Sequence, residues 1–406
     1  MSKTLDKIAE ELRDANKKIQ LLYAFNGTGK TRLSREFRLL IDPKDTGEDE
    51  DEQEPSGIKI MYYNAFTEDL FYWDNDLDAD TNRKLIIRPN GFTNLALPFL
   101  KDQGLDNNIA TNFQRYTSDK ITPIFNEDFS EVSFSFTAGG DSNENNIKIS
   151  KGEESNFIWC VFFSLLEEII QILNEADLSN RSTDIFEHLE YIFIDDPVSS
   201  LDDNHLIELA VIISKLVKRS ESNLKFIIST HNPLFYNVIS NELNTNILNP
   251  NFISKQETPD IEKWIYHVDK HSLRYIFNKY EDGRYDLNVL GRKTPFSYHL
   301  QLLREIQTIK NTPNLLKKYH LNFLRNILEK TATFLGRSRW EHLLPKVNGE
   351  PDPHLNRLLN LSSHSAHAGE EIGELQENDR GKLIELVKYL ESNYKFSELI
   401  QQNEAV

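Results

Sequence analysis

Residues 24–31 read Ala-Phe-Asn-Gly-Thr-Gly-Lys-Thr and lie between an apolar run that predicts a strand and a stretch that predicts a helix. Gly27 and Gly29 allow the backbone N–H groups of this loop to turn toward an anion at the helix N-terminus, where the helix dipole is positive. The spacing matches the Walker A pattern except that Ala24 replaces its first glycine, at a strand-to-loop turn that alanine can often make. The segment therefore predicts an α/β fold that binds a polyphosphate.

The last two residues of this loop supply a positive charge and a metal ligand. The Lys30 ammonium can lie beside β- and γ-phosphate oxygens, and the Thr31 hydroxyl can bind Mg²⁺. Fewer than 20 residues precede the first predicted strand, which leaves little room for an upstream strand whose aromatic residue stacks on adenine. We therefore expect Mg²⁺ with either ATP or GTP as the cofactor. The predicted nucleotide contacts in the loop are Asn26, Gly27, Thr28, Gly29, Lys30, Thr31 and Arg32.

A second part of a nucleotide site follows residues 191–194, an apolar run that predicts a strand and ends in Asp195 and Asp196. This is the Walker B arrangement, in which Asp195 would bind Mg²⁺. Asp196 takes the position where many such ATPases carry a glutamate that orients the attacking water. Because aspartate is one methylene shorter, we expect hydrolysis to be slow or to need alignment by a partner.

Further segments resemble the D-loop, H-loop and signature motif of ABC-type ATPases. Residues 197–202 read Pro-Val-Ser-Ser-Leu-Asp, and His231 follows the next predicted strand. The resemblance implies that His231 contacts the γ-phosphate and that the D-loop crosses a dimer interface. Residues 149–153 resemble a degenerate signature motif, in which Ser150 and Gly152 would grip the γ-phosphate bound to the other protomer. A homodimer or higher oligomer that sandwiches nucleotides is the predicted assembly.

The length of 406 residues exceeds the ~250–300 at which one core usually stops growing, so length alone predicts two domains or one large domain with insertions. Residues 1–260 alternate strand-like and helical stretches, whereas residues 261–406 are mainly helical. The first domain is predicted to carry an acidic loop at 46–55 and an inserted region at about 65–150. Strands are predicted at 20–24, 58–63, 131–136, 191–194 and 225–229, and helices at 153–176, 298–310, 315–335, 354–361 and 380–394.

Composition limits the compartment and the partners. Cys160 is the only cysteine, so no intrachain disulfide can form, and the longest obvious apolar run, 157–163, is too short to cross a bilayer. We expect a cytoplasmic protein without a membrane anchor. The net charge of −18 argues against indiscriminate binding to nucleic acid, yet residues 299–346 hold nine Lys/Arg against three Glu. That stretch predicts a basic surface.

The same stretch contains candidate residues for RNA cleavage. Arg325 and Glu329 stand four apart on one helical face, a spacing that most often makes an ordinary salt bridge. Residues 358–367 read Leu-Leu-Asn-Leu-Ser-Ser-His-Ser-Ala-His, which predicts a small polar turn after a helix and places His364 and His367 in it. Together Arg, Glu and His supply the base, acid and cation that metal-free RNA cleavage needs.

Over nearly its whole length the chain resembles the PrrC-type anticodon nucleases. The resemblance rests on residues 3–5, on 24–37, on 194–202 and on the Arg-x-x-x-Glu pair followed by a distant His. It implies an ABC-type P-loop ATPase head followed by a mainly α-helical C-terminal nuclease domain. It also implies a nuclease that cuts the anticodon loop of tRNA, typically lysine tRNA, and that is kept silent beside a type I restriction enzyme until phage infection. The family triad maps onto Arg325, Glu329 and a histidine, with His364 preferred and His367 as the alternative.

A second hypothesis fits the head equally well, because one ATPase fold serves many functions. The chain would then be the ATPase of a DNA-associated repair or phage-exclusion system, and its C-terminal domain would bind DNA or a partner instead of cutting RNA.

Overall fold

The computed structural model describes residues 3–43, 58–64, 67, 69–76, 78–79, 81–89, 93–137, 143–197, 201–245, 266–280, 282–291, 296–310, 316–368 and 375–394. The acidic run at 48–54 lies outside these ranges. The chain falls into two units, Met1–Arg292 and Lys293–Val406.

In chain order, the first unit contains α1 (Leu5–Asp14), β1 (Ile19–Tyr23), α2 (Lys30–Ile41), β2 (Ile60–Tyr63), β3 (Phe71–Asp74), β4 (Lys84–Ile87), α3 (Thr93–Asp102), α4 (Asp106–Tyr116), β5 (Ile121–Phe125), β6 (Glu131–Thr137), β7 (Asn143–Glu144), α5 (Lys151–Asn174), β8 (Tyr191–Asp195), α6 (Asp203–Arg219), β9 (Lys225–Thr230), α7 (Pro233–Leu243), α8 (Val268–His271), β10 (Ser272–Lys279) and β11 (Tyr285–Val289). The second unit contains α9 (Tyr298–Ile309), α10 (Tyr319–Phe334), β12 (Lys346–Val347), β13 (Glu350–Pro351), α11 (Pro353–Ala368) and α12 (Glu377–Tyr394).

Six strands of the first unit form its main sheet, in the spatial order β11-β10-β1-β9-β8-β2. Neighbouring strands from β10 to β2 are parallel, and β11 is antiparallel to β10. Every residue of β1 and β8 is buried, as expected of central parallel strands that are covered on both faces. Because parallel strands end at the same edge, the residues that follow β1, β8 and β9 meet there.

The region predicted as an insertion forms a second, antiparallel sheet. Its strand order is β3-β4-β6-β5, with β7 beside β6. Phe134 of β6 and Phe113 of α4 pack against Phe157 of α5, with ring centroids 5.2 and 5.8 Å from that ring. The small sheet therefore packs on the long helix of the same unit.

Helix α5 is the core helix of the first unit. It begins at Lys151, directly after its N-cap Ser150, and is apolar on most faces, so that Phe157, Trp159 and Cys160 are fully buried. Its 24 residues are long and apolar enough to cross a bilayer, which the sequence run at 157–163 alone did not suggest. However, 83% of its most apolar window is buried inside the protein, as in the core helix of a globular unit.

The boundary between the units lies after Arg292, not at residue 260 as predicted. Strand β10 pairs in parallel with β1, with Tyr275 opposite Leu22, and β11 completes a hairpin with it. These strands therefore extend the main sheet. Their sequence mixes polar and apolar residues without clean alternation, because one of them is an edge strand, and this weakens the strand signal.

The second unit is helical, as predicted. Its core comprises Ile306 of α9, Leu324 and Leu328 of α10, Leu359 of α11 and Leu386 of α12. Helix α10 begins at Tyr319 instead of 315, and α11 runs to Ala368 instead of 361.

Candidate functional site

The loop that joins β1 to α2 has the backbone that the Walker A pattern predicts. Gly27 and Gly29 have φ angles of 80° and 105°, in the left-handed region that disfavours a side chain. Ala24 continues the strand, since its N–H donates to the Thr230 carbonyl at 3.0 Å. An alanine therefore fits at the position of the first glycine of the motif.

At this edge of the sheet, the side chains of three residues place oxygen atoms that can bind a metal close together. Asp195, at the end of β8, accepts hydrogen bonds from the Thr31 hydroxyl at 2.7 Å and from the Ser229 hydroxyl at 2.6 Å. Burial raises the pKa of the Asp195 carboxyl, although both hydroxyl bonds oppose that shift. A buried carboxylate beside a hydroxyl is the chemistry that Mg²⁺ prefers, so Thr31 and Asp195 fit the predicted metal site.

Asp196 joins the P-loop lysine to the histidine that follows β9. Its Oδ2 lies 3.0 Å from the Lys30 ammonium, and its Oδ1 lies 2.8 Å from both the backbone N and the Nδ1 of His231. Burial alone would raise the pKa of the Asp196 carboxyl, but the hydrogen bond from His231 and the charge of Lys30 outweigh it and lower this pKa. The structure thus brings together the three residues predicted around the γ-phosphate.

Asn64 was not predicted as part of this site. It is fully buried directly after β2, and its Nδ2 donates to the Ser34 hydroxyl at 3.0 Å. Ser34 in turn donates to the Thr31 carbonyl at 2.9 Å, so Asn64 supports the first turn of α2. The available signal was a polar residue immediately after a parallel strand, where ligand-binding residues concentrate in α/β sheets.

The predicted signature residues stand at the start of α5. The Ser150 hydroxyl accepts a hydrogen bond from the Glu153 backbone at 3.3 Å, and the Glu153 carboxylate accepts one from the Ser150 backbone at 2.7 Å. The two hydrogen bonds form a capping box, so that backbone N–H groups at the start of α5 have partners from within the chain. Ser150 is exposed and Gly152 is partly exposed. Residues 198–200 of the predicted D-loop lie outside the described residues.

In the second unit, the predicted Arg325–Glu329 pair forms on α10. Arg325 Nε donates to Glu329 Oε1 at 2.8 Å, and an Arg325 terminal nitrogen donates to Asn360 Oδ1 at 2.5 Å. The guanidinium also lies over the Trp340 ring, 5.0 Å from its centroid. Three partners therefore fix the guanidinium plane, whereas the Glu329 side chain remains 46% exposed.

Asn360 is a second residue that the sequence did not reveal. Its Nδ2 donates to Asn356 Oδ1 at 2.6 Å, one turn earlier in α11, which orients its amide so that the oxygen faces Arg325. Its partner Arg325 is 35 residues away in the chain, so no local pattern could have indicated the contact.

His364 and His367 lie within α11, not in a polar turn after a helix as predicted. The Asp352 carboxylate starts the helix by accepting from the backbone N–H groups of His354 and Leu355, and the first glycine after it is Gly369. Nothing in the intervening sequence stops the helix. His364 is four residues after Asn360, about one helical turn. The side chains of both histidines are outside the described part of the structure.

Comparison with known proteins gives the family. A family model described as "AAA domain" matches residues 125–390, a range that contains Asp195, Asp196 and His231 but begins after the P-loop. A curated Escherichia coli protein named "Anticodon nuclease" is 46% identical over 99% of this chain and 100% of its own length. The chain belongs to the anticodon nuclease family. Membership confirms the predicted class of enzyme, an endoribonuclease with a nucleotide-hydrolysing domain, and with it the predicted nucleotide binding.

Two solved structures show weaker similarity. One is an Smc head domain with an extended coiled coil, bound to the C-terminal domain of ScpA, from Pyrococcus furiosus; it has 14% identity and a TM-score of 0.27 over 52% of this chain and 39% of its own. The other is an SmcHead bound to the C-winged helix domain of ScpA, with 12% identity and a TM-score of 0.33 over 68% and 91%. Both scores are low, and neither match adds to the family assignment.

Proposed function

We propose that this protein is a nucleotide-gated endoribonuclease that cuts tRNA within the anticodon loop, with lysine tRNA as the expected substrate, in defence against phage. The observation that carries the proposal is the Arg325 guanidinium, which is held by Glu329, Trp340 and Asn360. Asn360 stands about one helical turn before His364 in the sequence of α11. A salt bridge at this spacing would form on any helix. The aromatic and amide contacts from two other segments favour a fixed functional geometry.

In the proposed reaction, Glu329 takes the proton of the ribose 2′-OH, and the 2′ oxygen attacks the adjacent phosphorus in line. The bond from phosphorus to the 5′ oxygen breaks, and His364 gives a proton to that oxygen. Arg325 stabilises the charge that develops on the phosphorane and stays protonated throughout. The products are a 2′,3′-cyclic phosphate and a 5′-OH. Exchanging the roles of Glu329 and His364 leads to the same products.

The head would gate this reaction. We propose that ATP or GTP binds at the P-loop with Mg²⁺ held by Thr31 and Asp195, that Asp196 orients the attacking water and that His231 contacts the γ-phosphate. The ion pair between Lys30 and Asp196 means that nucleotide phosphates must replace that carboxylate as the partner of Lys30. Ser150 and Gly152 would contact the nucleotide of a second head in a homodimer or larger homo-oligomer. A type I restriction enzyme is the proposed silencing partner, and the cytoplasm the proposed compartment.

Substrate class is the first test. Purified protein with nucleotide and Mg²⁺ should cleave bulk tRNA at one position of one acceptor species and should leave duplex DNA intact. Sequencing the new 3′ ends would locate the cut. Tight binding to duplex DNA without any cleavage of tRNA would instead support a DNA-associated ATPase.

Affinity for tRNA should depend on exposed cations of the second unit. Lys317 and Lys318 are exposed just before α10, whereas Lys310, which pairs with Glu391 at 2.8 Å, is half-buried. A double Lys317→Glu/Lys318→Glu variant should bind tRNA more weakly and show a shallower dependence of log K on log salt, by roughly 0.7–0.9 for each lost phosphate contact. The matched control is a double Lys101→Glu/Lys120→Glu variant, which makes the same change of charge at two exposed lysines of the first unit. Equal binding by variant and wild type at every salt concentration would exclude this surface.

Asn360 should act by positioning Arg325. Asn360→Leu keeps the volume but removes the acceptor, so kcat should fall about 10- to 100-fold with little change in KM, as expected when a charged group is misplaced by about 1 Å. Asn360→Asp keeps an acceptor oxygen and should retain most of the activity. A wild-type kcat in Asn360→Leu would show that the other contacts of Arg325 suffice.

A further inference from the structure

Phe334, the last residue of α10, is an exposed aromatic residue whose backbone is held by the hydrogen bonds that end the helix. Arg337 N donates to the Ala332 carbonyl at 2.8 Å and Gly336 N to the Thr333 carbonyl at 3.1 Å, while Gly336 takes the left-handed φ of 65° that ends the helix. The backbone beneath Phe334 is thus held in place. Nevertheless, Phe334 is 79% exposed, and its neighbour Leu335 is 51% exposed.

The charges around this ring favour a polyanion. The Lys330 ammonium lies 5.5 Å from the centroid of the Phe334 ring. Residues 330–340 include Lys330, Arg337 and Arg339 and contain no Asp or Glu, and of these three cations Arg339 is paired with Glu341 at 3.1 Å. An exposed ring among cations is the combination with which proteins bind single-stranded nucleic acid, because the ring stacks on a base while the cations meet the backbone.

The position of the segment connects it to the proposed reaction. It starts directly after Glu329 and ends at Trp340, whose ring lies against the Arg325 guanidinium. Phe334 is nine residues after Arg325 on the same helix, which is about 14 Å along the axis and two and a half turns, so the two side chains leave the helix on opposite faces. The ring therefore does not contact the reacting phosphate, but it suits an unpaired nucleotide farther along the same strand that reaches the C-terminal end of α10.

We propose that Phe334 is a stacking platform for an unpaired base of the RNA substrate, on the cleaved strand but away from the cleaved bond, with Lys330 next to that base. The inference rests on the proposed function and adds a site that selects unstacked loop nucleotides over paired ones. It predicts a role in substrate binding and none in the chemical step.

The test compares two substitutions of the exposed ring. Phe334→Leu removes the ring but keeps an apolar side chain, and it should raise KM for tRNA about 5- to 150-fold with kcat little changed. Phe334→Trp should keep the wild-type KM. The matched control is Tyr72→Leu, since Tyr72 is also exposed and has the Arg88 guanidinium 4.9 Å from its ring centroid, but lies in β3. Its KM should equal that of the wild type.

A binding measurement separates this inference from the proposed function. An anticodon stem-loop RNA with 2-aminopurine in its loop should lose fluorescence on binding to the full chain carrying Glu329→Gln, and Phe334→Leu should prevent the loss. If wild type cleaves tRNA but Phe334→Leu has an unchanged KM and unchanged quenching, the stacking role of Phe334 is excluded and the nuclease proposal stands. If wild type cleaves no RNA, the nuclease proposal fails, whereas the quenching still reports on Phe334. A Phe334→Leu variant that changes only the oligomeric state would assign the ring to a protein interface and overturn the inference.

Discussion

Replacing Glu329 by Gln should lower the rate of tRNA cleavage about 100- to 10,000-fold, the range expected when a general acid–base group is lost. The exchange keeps the shape of the side chain and a hydrogen-bond acceptor for Arg325 but removes the proton acceptor. His364→Ala should cause a loss of similar size. Mass spectrometry of the wild-type products should find a 2′,3′-cyclic phosphate and a 5′-OH.

One result would contradict this mechanism, and another would change the residue assigned as the acid. Products with 3′-OH and 5′-phosphate ends would exclude attack by the 2′ oxygen. An active His364→Ala enzyme together with an inactive His367→Ala enzyme would assign the acid to His367. Chelation of Mg²⁺ is a poor substitute for these experiments because the nucleotide switch itself needs the ion. Circular dichroism of each variant would show whether α10 and α11 remain folded.

Nucleotide binding should disappear in Lys30→Ala, because the P-loop then lacks the cation that faces the phosphates. By contrast, Asp196→Asn should bind nucleotide at least as well as wild type, since it removes the carboxylate that pairs with Lys30 at 3.0 Å. Its hydrolysis should be slower by about 100-fold or more, and the protein should accumulate as a nucleotide-bound dimer. Equilibrium binding of a fluorescent nucleotide, phosphate release and light scattering measure the three quantities.

The control for Lys30→Ala is Lys101→Ala, which removes an exposed lysine from α3 and should leave nucleotide affinity unchanged. Hydrolysis at the wild-type rate in Asp196→Asn would show that another group orients the water. Full nucleotide affinity in Lys30→Ala would exclude the P-loop as the nucleotide-binding site.

The residues that the sequence predicted best are those that follow an apolar run directly. Asp195, Asp196 and His231 each stand at or directly beyond the end of a buried parallel strand, and the sheet brings such positions together independently of the rest of the fold. Their burial and their hydrogen bonds could not be predicted. The opposite pKa shifts of Asp195 and Asp196, for example, depend on which side chains face each carboxylate.

Contacts between distant segments were the part that the sequence could not show. Asn64 supports the P-loop helix from another strand, and Asn360 reaches Arg325 from another helix. No periodic pattern or motif in the sequence indicates either contact. The extent of α11 was also missed, because serines and histidines at 362–367 suggest a turn, although Asp352 and the buried leucines of this helix maintain the helical backbone through them.

The hairpin of β10 and β11 affects how the head can be produced in isolation. A fragment that stops at residue 260 would lack both strands and would leave the β1 edge that now pairs with β10 without hydrogen-bond partners. An apolar strand with a free edge promotes association between chains. Such a fragment should aggregate even if its nucleotide site is intact, so an expression boundary after Arg292 is needed to keep β10 and β11 complete and β1 covered.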